Sequence, residues 1–355
     1  MILRVWRYAY GGAKIMALKS FLLTAEDYHF LLRSRHLDDF LGYLTTTVYG
    51  EALTGWDWHT PEAESDFSTR LYGELAQAFH KVARGLKKRE RLFIGVLAQR
   101  LVGENLKVVL RTLHRGLAPK QAVRLLIPVD RLSPLNFREL LNQRDIKSLV
   151  NYLANTLWGP PLARGLPRYL RERNLFPLEM SLDLWVFDYI LRGRNSLSGR
   201  DRCLSGQLLG TLADINNIIW AGRFREIYGF PGEETYQYLL EAGSLGEPRR
   251  RHDLAFAPNL AAMITRLPRR PYGEVLEGAT DLAEVEEGLT RYWVKTLEKV
   301  FSLPPFQIGL PITYLLLKEL EIRNLITLFT GFILRIPADR LSPLIRGRAA
   351  GGRYV

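Results

Sequence analysis

The chain has 355 residues, 47% of them hydrophobic and 24% charged, a balance ordinary for a folded globular protein and unlike that of a disordered one. Its single cysteine, Cys203, excludes a disulfide framework and a thiolate metal site, and suits a reducing compartment. A net charge of +12 and a sequence pI near 9.8 bound the partners more than the fold: either the basic residues form solvated faces, or they attract an anionic surface.

From the N-terminus, Met1 to Gly12 has an apolar run too short for a secretory signal. Thr24-Ala25-Glu26-Asp27 offers a helix start, and a block follows with Leu31, Leu32, Arg35, Tyr43, Leu44, Thr47 and Gly50. No proline intervenes between Pro61 and Pro119. Within that span Leu71, Leu75, Ala78, Phe79, Val82 and Leu86 recur every three or four residues, which predicts an amphipathic helix with this stripe in the core. A basic run, Arg84 to Arg91, follows; then Asn105-Leu106, Gly116 and Pro119. Ser133-Pro134 is a second helix start, and the block returns as Leu140, Leu141, Arg144, Tyr152, Leu153, Thr156 and Gly159, seven identities at a constant offset of 109 residues. Pro177 to Pro231 is again free of internal proline and contains Asn217-Ile218 and Gly229.

Arginines then cluster at Arg249, Arg250 and Arg251 and at Arg266, Arg269 and Arg270, the candidate partner interface. Tyr272-Gly273-Glu274-Val275-Leu276 repeats Tyr49-Gly50-Glu51-Ala52-Leu53, with Trp158-Gly159 as the looser middle copy. The strongest apolar stretch, Leu325 to Ile336, is interrupted by Thr327, Thr330, Gly331 and Arg335, and falls short of the roughly 18 residues that span a bilayer. Asn324-Leu325 precedes Pro337 much as Asn105 precedes Pro119 and Asn217 precedes Pro231. Arg111 and Arg223 stand six residues after their asparagines, where the third copy has Thr330; an acid stands three residues before as Asp214 and Glu321, where the first copy has Val102.

Stacked-hairpin repeats have periods of roughly 20 to 50 residues, so a period near 110 predicts triplicated small domains. Alternation with period two is nowhere sustained, and the chain reads as all-α. The expectation is three pseudo-equivalent helical units around an approximate threefold axis, over residues 1–130 (with an N-terminal extension), 131–243 and 244–355 (with a C-terminal tail). Its repeated structural residues are Asn105, Asn217, Asn324, Gly50, Gly159 and Gly273. Asparagine is poor inside helices because its amide competes for backbone hydrogen bonds, so each amide is expected to bond the backbone of a neighbouring helix.

No phosphate-binding loop, dinucleotide fingerprint, His-Glu-x-x-His or nucleophile elbow is present, which argues against nucleotide hydrolysis by this chain. His29, His36, His59, His80, His114 and His252 lack metal-ligand spacing and read as packing or surface residues. Cys203 reads as a small core residue, and Asp38-Asp39 and Glu286-Glu287 as solvated pairs. No catalytic residue, cofactor or metal is expected. A basic helical nucleic-acid-binding protein is the alternative reading, weakened by few aromatics among the basic runs; an enzyme would need a polar constellation that no motif supplies.

Tyr8-Ala9-Tyr10-Gly11-Gly12-Ala13-Lys14-Ile15-Met16-Ala17-Leu18-Lys19-Ser20, Glu26-Asp27-Tyr28 and Asp39-Phe40-Leu41-Gly42-Tyr43-Leu44-Thr45-Thr46-Thr47 resemble the N-terminal signature of the C subunit of V-type and archaeal-type rotary ATPases, known as the d subunit in eukaryotes. Lys318-Glu319-Leu320-Glu321-Ile322-Arg323-Asn324-Leu325 is similar to its C-terminal signature, as is the terminal Tyr354-Val355. The family has arginines where Lys14 and Met16 stand, so one charge is kept and one lost. The resemblance implies a non-catalytic central-stalk connector: three helical domains forming a funnel, seated on the membrane proteolipid ring and engaging the shaft subunits D and F, for proton or sodium transport. It also implies a cytoplasmic location, membrane contact only through partners, and no nucleic acid.

Overall fold

A computed structural model describes residues 2–197, 199–304 and 306–345; the terminal Tyr354-Val355 pair lies outside the described residues. The described chain is helical, with no strand. Helix α1 (Ile2–Lys19) comes first, and three successive runs of α-helices follow it. The first run is α2 (Ala25–Arg33), α3 (Leu37–Thr45), the single turn α4 (Gly50–Leu53), the long α5 (Ala63–Arg84) and α6 (Lys88–Arg115), and the short α7 (Pro119–Val123). The second is α8 (Phe137–Leu141), α9 (Ile146–Tyr152), α10 (Gly159–Glu172), α11 (Phe176–Gly193), α12 (Gly199–Glu226) and α13 (Gly232–Gln237). The third is α14 (Pro248–Ala255), α15 (Leu260–Arg266), a turn over Arg269–Gly273, α16 (Leu282–Phe301), α17 (Gly309–Ile333) and α18 (Ala338–Leu341).

Packing divides the chain into two compact units, Ser34–Leu197 and Met1–Arg33 with Ser198–Val355. In the unit Ser34–Leu197, α5 lies on α6, α6 on α11, and α11 on α10. The stripe Leu71, Leu75, Ala78, Phe79, Val82 and Leu86 is buried there, as are Phe93, Leu97, Leu106, Val109 and Leu110 of α6. Each such large side chain contributes about 1.5–3 kcal/mol relative to exposure. In the other unit α12 meets α14, α15, α16 and α17, while α16 and α1 both pack on α17. Every residue of α17 from Gly309 to Glu319 is buried, so this part of the helix is covered on all faces, its polar Thr313, Lys318 and Glu319 included.

The long asparagine-bearing helices end alike. After α6 and α12 the chain enters the left-handed region at Gly116 (φ 62°) and Gly229 (φ 63°), and proline then starts the next short helix, with Pro119 inside α7 and Pro231 capping α13. The third end differs: Gly331 is inside α17, and Arg335 (φ 54°) takes the left-handed turn before Pro337. Gly331 is needed for another reason, since a methyl there would run into Leu341 of α18.

The aromatic-glycine block is a reproducible turn. Thr47 Oγ1 donates to the Leu44 carbonyl at 2.7 Å and accepts from the Tyr49 amide at 3.3 Å; Thr156 Oγ1 does the same with Leu153 at 2.7 Å and Trp158 at 3.2 Å. Tyr49, Trp158 and Tyr272 are buried. The next residue is glycine because a Cβ would meet the carbonyl oxygen five positions earlier, that of Thr45, Ala154 or Pro268. At Gly50 and Gly159 that carbon would overlap the oxygen, while at Gly273 it would sit 3.2 Å away. Gly50→Ala and Gly159→Ala should each lower stability by about 2 kcal/mol or more, and Gly273→Ala by less than about 1 kcal/mol. Urea denaturation of the three variants checks this ranking; equal losses would refute it.

Asparagine clamps, carboxylate seats and the basic surface

Asn105 is fully buried on α6, and its amide grips one peptide residue on both sides. Nδ2 donates to the Ile127 carbonyl at 2.8 Å, and Oδ1 accepts from the Ile127 amide at 2.8 Å. Asn217 on α12 repeats this with Leu240, donating at 3.0 Å and accepting at 2.7 Å. The gripped residues, 22 and 23 positions downstream, lie in non-helical chain and not in a neighbouring helix. The reason is stoichiometric: inside a helix both backbone groups of a residue are already bonded, so only non-helical chain offers N–H and C=O together. Asn324 on α17 is also buried, but its Nδ2 donates to the Tyr28 hydroxyl at 3.4 Å. The positions 22 and 23 after it lie outside the described residues.

Three residues before the second and third asparagines, a carboxylate seats an incoming segment. Asp214 accepts from the Leu245 amide at 2.6 Å, the Ser244 amide at 3.0 Å, the Ser244 hydroxyl at 2.8 Å and the Tyr272 hydroxyl at 2.9 Å. Glu321 accepts from the Leu23 amide at 2.6 Å and from Lys318 Nζ at 3.2 Å. Leu23 precedes Tyr49 by 26 residues and Leu245 precedes Tyr272 by 27, so the N-terminal segment fills on α17 the seat that the chain beyond residue 243 fills on α12. The Tyr8 hydroxyl adds a 2.9 Å bond from α1 to Asp201 of α12, whose other oxygen accepts from the Ile308 amide at 3.3 Å. The first copy, with Val102, has an apolar seat: the Trp158 ring lies beside Gly103 of α6 and 4.9 Å from Trp185.

Arg111 forks onto Glu179 of α11 with Nε at 2.7 Å and a terminal nitrogen at 3.1 Å, and Arg223 reaches Glu286 of α16 with Nε at 2.7 Å. Glu286, read from sequence as solvated, is a partly buried anchor. Glu179 and Glu286 are 107 residues apart and the arginines that reach them, Arg111 and Arg223, are 112 apart, so the acids follow the repeat only approximately. Beside Arg111, Lys107 is buried with Asp183 at 2.5 Å and Glu104 at 3.0 Å. Burial alone would push its pKa down; the two carboxylates outweigh that and hold it above the ordinary value.

The candidate interface arginines do not share one environment. Arg249 is exposed and Arg250 half-buried, both lining one cavity with Arg266. Arg269 and Arg270 are exposed and meet Glu274, Arg270 at 2.9 Å and Arg269 at 3.9 Å. Arg251 faces inward: it is 7% exposed, pairs with Glu241 at 2.9 Å and lies 4.6 Å over the Tyr236 ring. Cys203 is exposed on α12, against the core placement expected for it. Among the described residues no group of three or more His, Cys, Asp or Glu could hold a metal ion, and no helix is long and apolar enough to cross a membrane.

Buried Asn105, Asn217 and Asp214 tie long helices to non-helical chain, within a protein whose described elements are all helical. The family model for the ATP synthase (C/AC39) subunit matches residues 12–343, and the chain belongs to that family. The A-type ATP synthase C subunit of Methanocaldococcus jannaschii is 23% identical to it over 97% of this chain and 88% of its own length. The proteins of that name from Pyrococcus horikoshii and Methanobrevibacter smithii are 24% and 25% identical, over 90% and 91% of this chain and 86% and 84% of their own.

Replacing Asn105 or Asn217 with leucine strands both groups of a buried peptide, and should cost roughly 1–3 kcal/mol in each case by urea denaturation. Losses near zero would mean that water replaces the clamp. Burial, and then the Asp214 carboxylate, push the Tyr272 phenol well above its usual range. The folded state therefore keeps this proton when the unfolded tyrosine gives it up, near pH 10, so the associated stability is present below that pH and drains as pH rises through it. Tyr272→Phe should cost about 1 kcal/mol at neutrality and make the alkaline fall in denaturation midpoint shallower. An unchanged alkaline slope would show that the phenol ionises within the fold.

Proposed function

We propose that the chain is the non-catalytic central-stalk connector of an A-type rotary ATPase, passing torque between the shaft subunits D and F and the membrane proteolipid ring during proton or sodium transport. The observation that carries this reading is the family match over residues 12–343. Relatives named as the C subunit of A-type ATP synthases, similar over nine-tenths of the chain, support it. A connector that transmits rotation as a rigid body needs resistance to shear between its helices, and the two-sided amide clamps, carboxylate seats and Arg–Glu pairs supply cross-links of that kind. We further propose that segments 1–130, 131–243 and 244–355 are three copies of one helical domain around an approximate threefold axis, and that the protein sits in the cytoplasm, peripheral to the membrane through its partners.

Arg249, Arg250, Arg269 and Arg270 are the proposed contact cations of this connector, whereas Arg251 serves the fold. Co-purification with the ring and shaft subunits tests the assignment. Binding should weaken as salt rises, because exposed charges are screened beyond about 10 Å at 0.1 M. Arg249→Glu with Arg250→Glu should lower ring or shaft affinity while helicity by circular dichroism is unchanged, and Arg251→Glu should destabilise the monomer itself. Unaltered affinity for both partners in the double variant would remove these two residues from the interface; failure to co-purify with either partner would remove the connector reading.

A further inference from the structure

Two open cavities have arginine in their walls, and their charge balance differs. One, of about 410 Å³, has Arg249, Arg250 and Arg266 together with Glu247 and Asp253, so its charges nearly cancel. The other, of about 470 Å³, lies between α5 and the segment following α7. Here Lys81, Arg84 and Arg131 line the wall with a single carboxylate, Asp130, and His80 and Gln77, whose amide nitrogen donates to Glu74 at 3.2 Å, add further polar groups. Arg84 and Arg131 make no ion pair or side-chain hydrogen bond among the described residues, so their guanidinium donors are uncommitted. The exposed Lys87, Lys88 and Arg89 continue the positive field from the rim into the first turn of α6. Gly73 and Pro128 bring the two walls into contact at the base, which makes the feature a cleft and not a flat basic patch.

Uncommitted guanidinium groups in a concave site match the oxygens of a phosphate, which accept paired N–H donors from the planar fork. The volume falls within the range of small-ligand sites and exceeds what a lone inorganic ion fills. Ala76 and Leu132 offer apolar wall to the body of such a ligand. We propose that this cleft binds a phosphate-bearing anion, a phosphate ester or diphosphate, with Arg84 and Arg131 holding oxygens and Lys81 supplying charge. The site stands apart from the connector reading and does not depend on it.

The test uses the purified full chain. Calorimetry with pyrophosphate probes a soluble ligand, and flotation with phosphatidylcholine vesicles containing phosphatidic acid probes a lipid headgroup. Pyrophosphate binding at one per chain is expected, weakened at least about tenfold in Arg84→Gln/Arg131→Gln and unchanged in Arg249→Gln/Arg250→Gln, with helicity the same in all three. Binding to vesicles alone, with the same pattern across variants, would support the site and assign its phosphate to a headgroup. No binding to either probe, or binding that Arg84→Gln/Arg131→Gln leaves intact, would overturn the proposal.

Discussion

A carboxamide side chain has one donor and one acceptor at nearly the spacing of a peptide group, and a peptide residue outside a helix offers the complementary pair. When Asn105 meets Ile127, and Asn217 meets Leu240, two bonds form to one residue and both of its backbone polar groups are satisfied. The clamp fixes where the chain runs after it leaves a long helix. It thereby positions Pro128 against Gly73 of α5, and it holds the segment leading to Ser244 and Leu245 near Asp214, one turn earlier on the same helix. An apolar contact could not do this, because burial is indifferent to register and a two-point hydrogen bond is not.

Around the clamps the repeats share geometry while differing in chemistry. The seat beside the asparagine is apolar at Val102, carboxylate at Asp214 and carboxylate with lysine at Glu321, and the aromatic block arrives on it as Trp158 in the first case and Tyr272 in the second. Trp158 needs only a ring-sized gap beside Gly103, whereas Tyr272 brings a hydroxyl that must find an acceptor.

Much of this was legible in the sequence because it depends on local geometry. The glycine after each buried aromatic, the proline after each long helix and the apolar stripe on α5 are demands of a few consecutive residues, and they recur at a readable offset. What escaped depends on contacts across the fold. Glu179 and Glu286 look like surface acids until α11 and α16 are laid beside Arg111 and Arg223. Arg251 shares a triplet with Arg249 and Arg250, yet helical rotation turns it inward to Tyr236 and Glu241. Asn324 donates to the Tyr28 hydroxyl, and sequence position does not reveal that Tyr28 arrives beside it. The candidate cations around Arg249 and Arg269 were visible as charge; sequence could not divide them between rim, cavity and core.

The seat on α17 has a temporal consequence. Leu23 and Glu321 are separated by 298 residues and Tyr28 and Asn324 by 296, so this junction closes only after nearly the whole polypeptide has left the ribosome. The clamps at Asn105 and Asn217 span 22 and 23 residues and can form as each segment emerges. Until the last long helix appears, α1 has no α17 to pack on, and Leu22 and Leu23 lack the α17 residues they lie beside. For a nascent chain this is an interval of exposure to chaperones and to wrong partners, and translation speed sets its minimum length.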